Sequence, residues 1–535
     1  MAVLDWIGKR AVVNHHREVP TRLLHCNSEL SFGDPEAGNL LVEGDNLEAL
    51  KSLLPYYAGK VKCIYIDPPY NTGNEGWIYN DNVNSPEILA WLGKVTGKEA
   101  EDFTRHDKWL CMMYPRLRIL REFLSDDGLV FVSIDDVEFA RLRLLLDEIF
   151  GQSGFVSAFV WKSRKFLDSR SLTNVSNDHE YIMCYRMSED ARLRGLERDE
   201  AKFSNPDGDD RGSWMSRSIL GLANSKQRPN LHYSIADPNT GFTFAPPLDT
   251  GWRYGRERMD ALIADGRIIF PKDQNGRPRE KKFKDDLLQQ FMSIPSIIDD
   301  VHTADGSDEI RAIFGYQAFD FPKPVELIKR LIEQVVDGPT LILDSFAGSG
   351  TTAQAVLTLK AAGADCRFIV VEMLPEVARE VTAERIKRVI TGYQRVSAKG
   401  VSENVKGLGG GFRYCTLGRP LFDEWGGVSE GVTYSDLAAF VFFSDTGSPI
   451  PVKATGETTL LGSYQGRAVH LQFAAGSLGV PNEGAGNVLT LDALEGLAPN
   501  DGPRVVYAEG CTVPAERLAA AGVVFKQVPY QLQAT

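Results

Sequence analysis

Apolar residues fall in short runs over the first 150 positions and again after residue 340, and each run stops at an acid or a glycine. Asn39-Leu40-Leu41-Val42-Glu43 reads as a strand closing on Gly44-Asp45, and Leu47, Leu50, Leu53 and Leu54 then follow at helical spacing up to Pro55. Val61–Ile66 is a β-branched run halted by Asp67-Pro68-Pro69-Tyr70, which predicts a buried strand feeding a rigid loop. Trp109, Met112, Met113, Leu117, Leu120 and Leu124 share one helical face, ended by Asp126-Asp127-Gly128. Leu129–Ile134 is a further strand closing on Asp135-Asp136, and Val137–Phe150 is an amphipathic helix. Strand, helix, strand with short links is the parallel βαβ signature. In an open α/β sheet the strand-end acids then lie at the carboxyl edge, where ligands bind.

The pattern divides the chain. Residues 1–38 lack periodicity and read as an N-terminal extension, and 39–150 form the first half of an α/β core. The polar stretch from Asn71 to Asp107 reads as a lid over a pocket. Over 151–319 the α/β pattern breaks into strand-like runs, such as Phe155–Trp161 and Glu180–Tyr185, between basic loops. It returns over 320–406 with Leu341-Ile342-Leu343-Asp344, the glycine loop Ser345–Gly350, a helix start at Thr351, and the strand Phe368–Glu372. Gly407–Gly411 reads as a linker to an acidic module, 407–535, of small β-rich or mixed type.

Charge changes this picture little. The net charge is −13, and five bases against twelve acids between Leu421 and Thr535 account for −7 of it. The other −6 is spread over 420 residues with local basic clusters, so a positive groove is compatible with the acidic total. Lys162, Arg164 and Lys165, then Lys226 and Arg228, then Arg277, Arg279, Lys281, Lys282 and Lys284 stand among Phe166, Trp214, Tyr233, Trp252, Tyr254 and Phe283. Bases interleaved with aromatics suit a phosphate backbone, although a solvated surface gives the same composition. Seven scattered cysteines without a Cys-x-x-Cys suggest reduced core residues of a cytoplasmic protein, with neither a zinc site nor a disulfide framework. No apolar run is long enough to span a membrane.

The glycine loop admits several ligands. A phosphate-cradling loop requires Lys-Ser/Thr after its last glycine, whereas Gly350 is followed by Thr351-Thr352. Gly348, Gly350 and Ala353 meet the dinucleotide spacing, with Glu372, 28 residues after Asp344, as a ribose acid. S-adenosylmethionine makes the same demand, and a tight turn alone would also use glycine. Asp67–Tyr70 is equally open between a Pro-Pro turn and a catalytic loop.

Taken together, Asp67-Pro68-Pro69-Tyr70 and Phe346-Ala347-Gly348-Ser349-Gly350 resemble the amino-methyltransferases of DNA, in the motif order of the permuted β class. Gly44-Asp45, Lys108–Met113, Ser133–Asp136, Ser176–Tyr181 and Pro322-Lys323-Pro324 agree, and the chain looks most like the modification subunits of type III restriction-modification systems from Leu40 to Val389. The resemblance implies a doubly wound, Rossmann-like S-adenosylmethionine-dependent fold, a target-recognition insert in 151–319, and adenine N6 of duplex DNA as methyl acceptor. It implies catalytic roles for Asp67, Pro68, Pro69 and Tyr70. Phe346, Gly348 and Gly350, with Asp344 and Thr351 beside them, would surround the methionine part of the cofactor. Glu372 would bind ribose, Asp45 would lie near adenine, and Lys323 would meet the methionine carboxylate or stand as a surface lysine. Lys162, Arg164, Lys165, Arg228, Lys281 and Lys282 are the candidate DNA contacts; the chemistry requires no metal. A homodimer and a nuclease-helicase partner are implied assemblies. Cytosine N4 or an RNA amine is the nearest rival acceptor; a nicotinamide oxidoreductase and a non-catalytic recognition subunit are the rivals of other classes.

Overall fold

The computed structural model describes residues 4–72, 104–168, 174–287, 291–396, 402–473 and 487–528. Most of the stretch expected to form a lid, residues 73–103, lies outside them. The chain forms two compact units, Arg194–Ile294 and the remainder.

Among the described residues the main sheet of the larger unit has ten strands: β1 (Arg22–Gly33), β2 (Leu40–Glu43), β3 (Val61–Ile66), β4 (Leu124–Ile134), β5 (Phe155–Trp161), β6 (Glu180–Arg186), β7 (Ile297–Ile298), β8 (Thr340–Asp344), β9 (Cys366–Glu372) and β10 (Gly411–Pro420). Their order across the sheet is β1-β10-β2-β9-β8-β3-β4-β6-β5-β7. The central five, β2-β9-β8-β3-β4, are parallel. β8 and β9 therefore insert between β2 and β3, so loops some 280 residues apart in sequence leave neighbouring strand ends. All four residues of β2 and all five of β8 are buried, as expected for strands covered on both faces. Ile64, Ile66, Val130, Val132, Leu341, Leu343, Ile369 and Val371 alternate onto one face and share a core with the helices α1 (Asn46–Tyr57), α2 (Arg105–Phe123) and α3 (Asp136–Phe150). Asp45 caps α1 by accepting from the N–H groups of Leu47 and Glu48, and Asp135 caps α3 through Val137.

The segment 151–319 is divided. β5 and β6 join the main sheet, because Ile182, Met183, Cys184 and Tyr185 are buried where β6 pairs antiparallel with β4. Only 194–294 stands as a separate unit; it holds a three-stranded sheet of Trp214–Ser218, Arg279–Phe283 and Ile268–Ile269 around Ile219, Ile235, Phe244, Trp252, Met259 and Leu262. Past residue 407, β10 also joins the main sheet, parallel to β2 and antiparallel to β1. The rest of that segment is mixed α/β, a four-stranded sheet against the helix Tyr434–Thr446. One expectation is corrected: Cys26 on β1 and Cys415 on β10 are not reduced core thiols but joined as a disulfide, since the strand register sets them opposite each other. The sequence could not supply that register. Among the described residues, no helix is long and apolar enough to cross a membrane.

Candidate active site

Five adjacent parallel strands lead at their carboxyl ends to acids: Asp45 after β2, Glu372 on β9, Asp344 on β8, Asp67 after β3 and Asp135 after β4. The Asp67–Tyr70 loop is fixed from below. Pro68 and Pro69 are buried, and the indole N–H of Trp109, on α2, donates to the Pro69 carbonyl at 2.6 Å. The Tyr70 hydroxyl donates to Glu180 at 3.0 Å. Burial, together with the charges of Asp67 and Glu180, keeps the Tyr70 phenol protonated far above its usual range.

Lys323 is not a surface lysine. Its ammonium donates to Oδ1 and Oδ2 of Asp67 at 2.9 and 2.8 Å, lies 3.6 Å from Glu180 and sits 4.8 Å from the centre of the Tyr70 ring. Burial disfavours the charged form, but Asp67 and Glu180 outweigh it and hold the lysine pKa above its ordinary value. Backbone packing seats this lysine: a Cβ on Gly306 would come within 2.2 Å of the Pro322 carbonyl, so only glycine lets the helix Thr303–Phe314 approach so closely.

The glycine loop lies across from it. Gly348 and Gly350 have φ of 50° and 80°, the left-handed turn that glycine takes without strain. Asp344 accepts from the Phe346 N–H at 2.9 Å and the Thr352 hydroxyl at 2.5 Å; burial outweighs both and raises its pKa to about 7. Glu372 accepts from the N–H groups of Gly348 and Leu374, each at 2.9 Å, and burial again prevails, raising it to about 8. Thr351 donates to the Lys323 carbonyl at 3.1 Å, tying loop to lysine. The sequence reading missed Arg385, which is wholly buried and donates to the Ser349 carbonyl and hydroxyl, to Thr351 and to Gln354. It also missed Glu180 as a site residue.

Two cavities take in residues of these strand ends. One, of about 30 Å³, is lined by Asp67, Lys323, Asp344, Phe346, Gly348 and Thr351 among others. The other, of about 310 Å³, is lined by Asp45, Leu47, Met112, Arg116 and Met373, with Arg116 paired to Asp45 at 3.1 Å. A larger cavity of about 780 Å³, between Lys51, Glu122, Phe422 and Phe440, contains none of these motif residues and lies apart from the chemistry. The residues expected to touch DNA are not gathered here. Lys162, Arg164 and Lys165 are exposed just after β5, with Arg164 paired to Asp168 at 2.8 Å. Arg228, Lys281 and Lys282 belong to the 194–294 unit, where Arg228 is exposed, Lys282 half-buried, and Lys281 ion-paired with Asp207 and Asp209.

Residues 61–383 match the family described as DNA methylase. The Mod subunit of the type III restriction-modification enzyme StyLTI of Salmonella typhimurium is 32% identical over 473 residues, covering 80% of this chain and 70% of that subunit. The EcoP15I Mod subunit of Escherichia coli is 33% identical over 409 residues, covering 66% of this chain and 62% of that subunit. Among solved structures, a putative DNA modification methylase from Thermus thermophilus aligns at 17% identity and a TM-score of 0.31, covering 71% of this chain and 100% of that one. Both loops of the site, Asp67–Tyr70 and Phe346–Gly350, fall inside the matched stretch, and the chain belongs to the DNA methylase family.

Proposed function

We propose that this chain is a site-specific DNA methyltransferase that moves a methyl group from S-adenosylmethionine to adenine N6, with Asp67–Tyr70 as its catalytic loop. The carrying observation is the neighbouring position of Asp67 and the Phe346–Gly350 loop on β3 and β8, lining one cavity. The residues present fit the cofactor. Ser345 Oγ is buried without a hydrogen-bond partner, and carboxyls stand at three adjacent strand ends, suited to a ligand with a cationic head and two hydroxyls. Phe346, Gly348, Gly350 and Thr351, above Asp344, would hold the amino-acid part, Glu372 the ribose, and Asp45, in the larger flanking cavity, the adenine. When bound, S-adenosylmethionine supplies an electrophilic methyl group on a sulfonium.

The chain's own work is to make a poor nucleophile attack. The adenine N6 lone pair is delocalised into the ring. The Asp67 carboxylate and the Pro68 carbonyl accept the two amine hydrogens, drawing them out of the ring plane and freeing the lone pair. Once nitrogen carries the methyl, its surplus proton is acidic and passes to Asp67 and on to solvent. Preorganised acceptors and near-attack placement supply the rate. Tyr70, held by Glu180, offers a stacking face to the flipped base, whose extrusion costs a few kcal/mol. Asp67→Ala should abolish methyl transfer while S-adenosylmethionine binds near normally by calorimetry; full activity in that variant refutes the assignment.

Adenine rather than cytosine N4 is favoured by likeness to the Mod subunits, and nucleoside analysis of methylated DNA decides between them. The same likeness supports work beside a nuclease-helicase partner. A homodimer is the further assembly to weigh, by sedimentation of the purified chain.

A further inference from the structure

The seat that the proposed reaction reserves for an amine is already taken by one. An exocyclic amine entering this site must bring one hydrogen to Asp67 while its ring stacks on Tyr70. Lys323 does both with its own nitrogen: two hydrogen bonds to the Asp67 carboxylate, and a position 4.8 Å from the Tyr70 ring centre and 5.8 Å from that of Trp161. The ammonium already holds both oxygens of Asp67, so an amine that comes to this carboxylate must displace it. A second carboxylate stands within reach. Glu180 Oε2 is 3.6 Å from the ammonium, too long for a hydrogen bond but short enough to receive it after a small side-chain rotation.

We propose that Lys323 is a placeholder for the target amine: it neutralises Asp67 while the pocket is empty and shifts to Glu180 when the base arrives. The idea rests on the methyltransferase reading and adds a positioning residue to it. A carboxylate largely withdrawn from water is unfavourable without a counter-charge, so the empty site favours a cation beside Asp67. A cation permanently on Asp67 would in turn block the amine. Glu180 resolves that conflict by keeping the ammonium paired in both states, so the cost of capturing the base is the exchange of one ion pair for another. Base capture and lysine position are thereby coupled, and a base that cannot donate a hydrogen to Asp67 has less with which to displace the lysine. Discrimination for an exocyclic amine follows.

Two substitutions should act in opposite directions. Lys323→Met keeps the length of the side chain and removes its charge. It should lower KM for DNA several-fold and, on a duplex with 2-aminopurine placed beside the target adenine, raise the fluorescence of the bound complex, the sign of a target base leaving the stack. S-adenosylmethionine affinity should stay within about two-fold of the parent. Glu180→Gln keeps an acceptor for the Tyr70 hydroxyl but weakens the second seat for the ammonium; it should lower the fluorescence and raise KM for DNA several-fold. The proposal is overturned if Lys323→Met weakens S-adenosylmethionine binding ten-fold or more with base extrusion unchanged, because the lysine then serves the cofactor carboxylate. It is overturned equally if Glu180→Gln leaves extrusion and KM as in the parent, a result that decides the matter even where Lys323→Met fails to fold. A parent chain that methylates no DNA refutes the methyltransferase reading itself, a separate outcome from either of these.

Discussion

Glu372 and Asp344 sit one strand apart with no cation paired to either carboxyl among the described residues, and both are pushed toward the neutral form by burial. The consequence for stability has a definite sign. An unfolded glutamate releases its proton near pH 4.3, whereas folded Glu372 keeps it until about pH 8. Between those values the native state binds more protons than the unfolded chain, so this group's contribution is full at low pH and is lost as pH rises, at up to about 1.4 kcal/mol per pH unit. Asp344 acts in the same direction up to about pH 7. Glu372→Gln removes the titration while keeping an acceptor for the Gly348 and Leu374 N–H groups. Its melting temperature should therefore depend less steeply on pH than the parent's between roughly pH 5 and 8. Parallel curves would show that Glu372 is ionised in the free protein. These strand-end acids were legible from sequence because each follows an apolar run. The position of Lys323 was not: it stands between two prolines, a surface pattern, and is buried by a partner 256 residues away.

The same contrast holds for elements. The central strands and α1 to α3 follow from apolar spacing, since their buried faces leave a period of two or of three to four. Arg385 does not, because Arg385 and Arg388 at i and i+3 of Glu384–Thr391 look like the wet side of an amphipathic helix, and only the packing of that helix against the glycine loop turns the first of them inward. Its four hydrogen bonds hold the turn in which Gly348 and Gly350 take their left-handed conformations. Arg385→Met fills the space but leaves Ser349, Thr351 and Gln354 without those donors, costing on the order of 3 kcal/mol of stability. At a temperature where the variant stays folded, its S-adenosylmethionine Kd should rise ten-fold or more with kcat at saturating cofactor changed little. An unaltered Kd would mean that the loop holds its shape without the arginine. Trp109 serves two purposes: it lies in the core, as its helical face requires, and its one polar atom anchors the catalytic loop, which the sequence did not foretell.

For the whole molecule, net charge misleads and its distribution informs. The chain carries −13, yet residues 194–294 hold 17 Lys and Arg against 15 Asp and Glu, a balance of +2, leaving −15 to the larger unit. A duplex is met by whichever surface offers unpaired cations, and each phosphate neutralised releases counterions and steepens the salt dependence of binding. Within the smaller unit the bases are not equal. Lys281 lies between Asp207 and Asp209, and its charge is spent inside the fold; Arg228 stands exposed on a polar loop, and Lys282, on the same strand as Lys281, points to the opposite side. If this unit follows the DNA backbone, Arg228→Ala and Lys282→Ala should each weaken binding to specific and nonspecific duplexes alike. Each should also lower the slope of log K against log salt by about one, with S-adenosylmethionine affinity unchanged. Lys281→Ala should instead lower the melting temperature, because Asp207 loses its cation and Asp209 keeps only Arg211, and should leave the salt slope where it was. A slope unmoved by both Arg228→Ala and Lys282→Ala would assign the backbone contacts to the other exposed cluster, Lys162, Arg164 and Lys165, which β5 delivers from the main sheet.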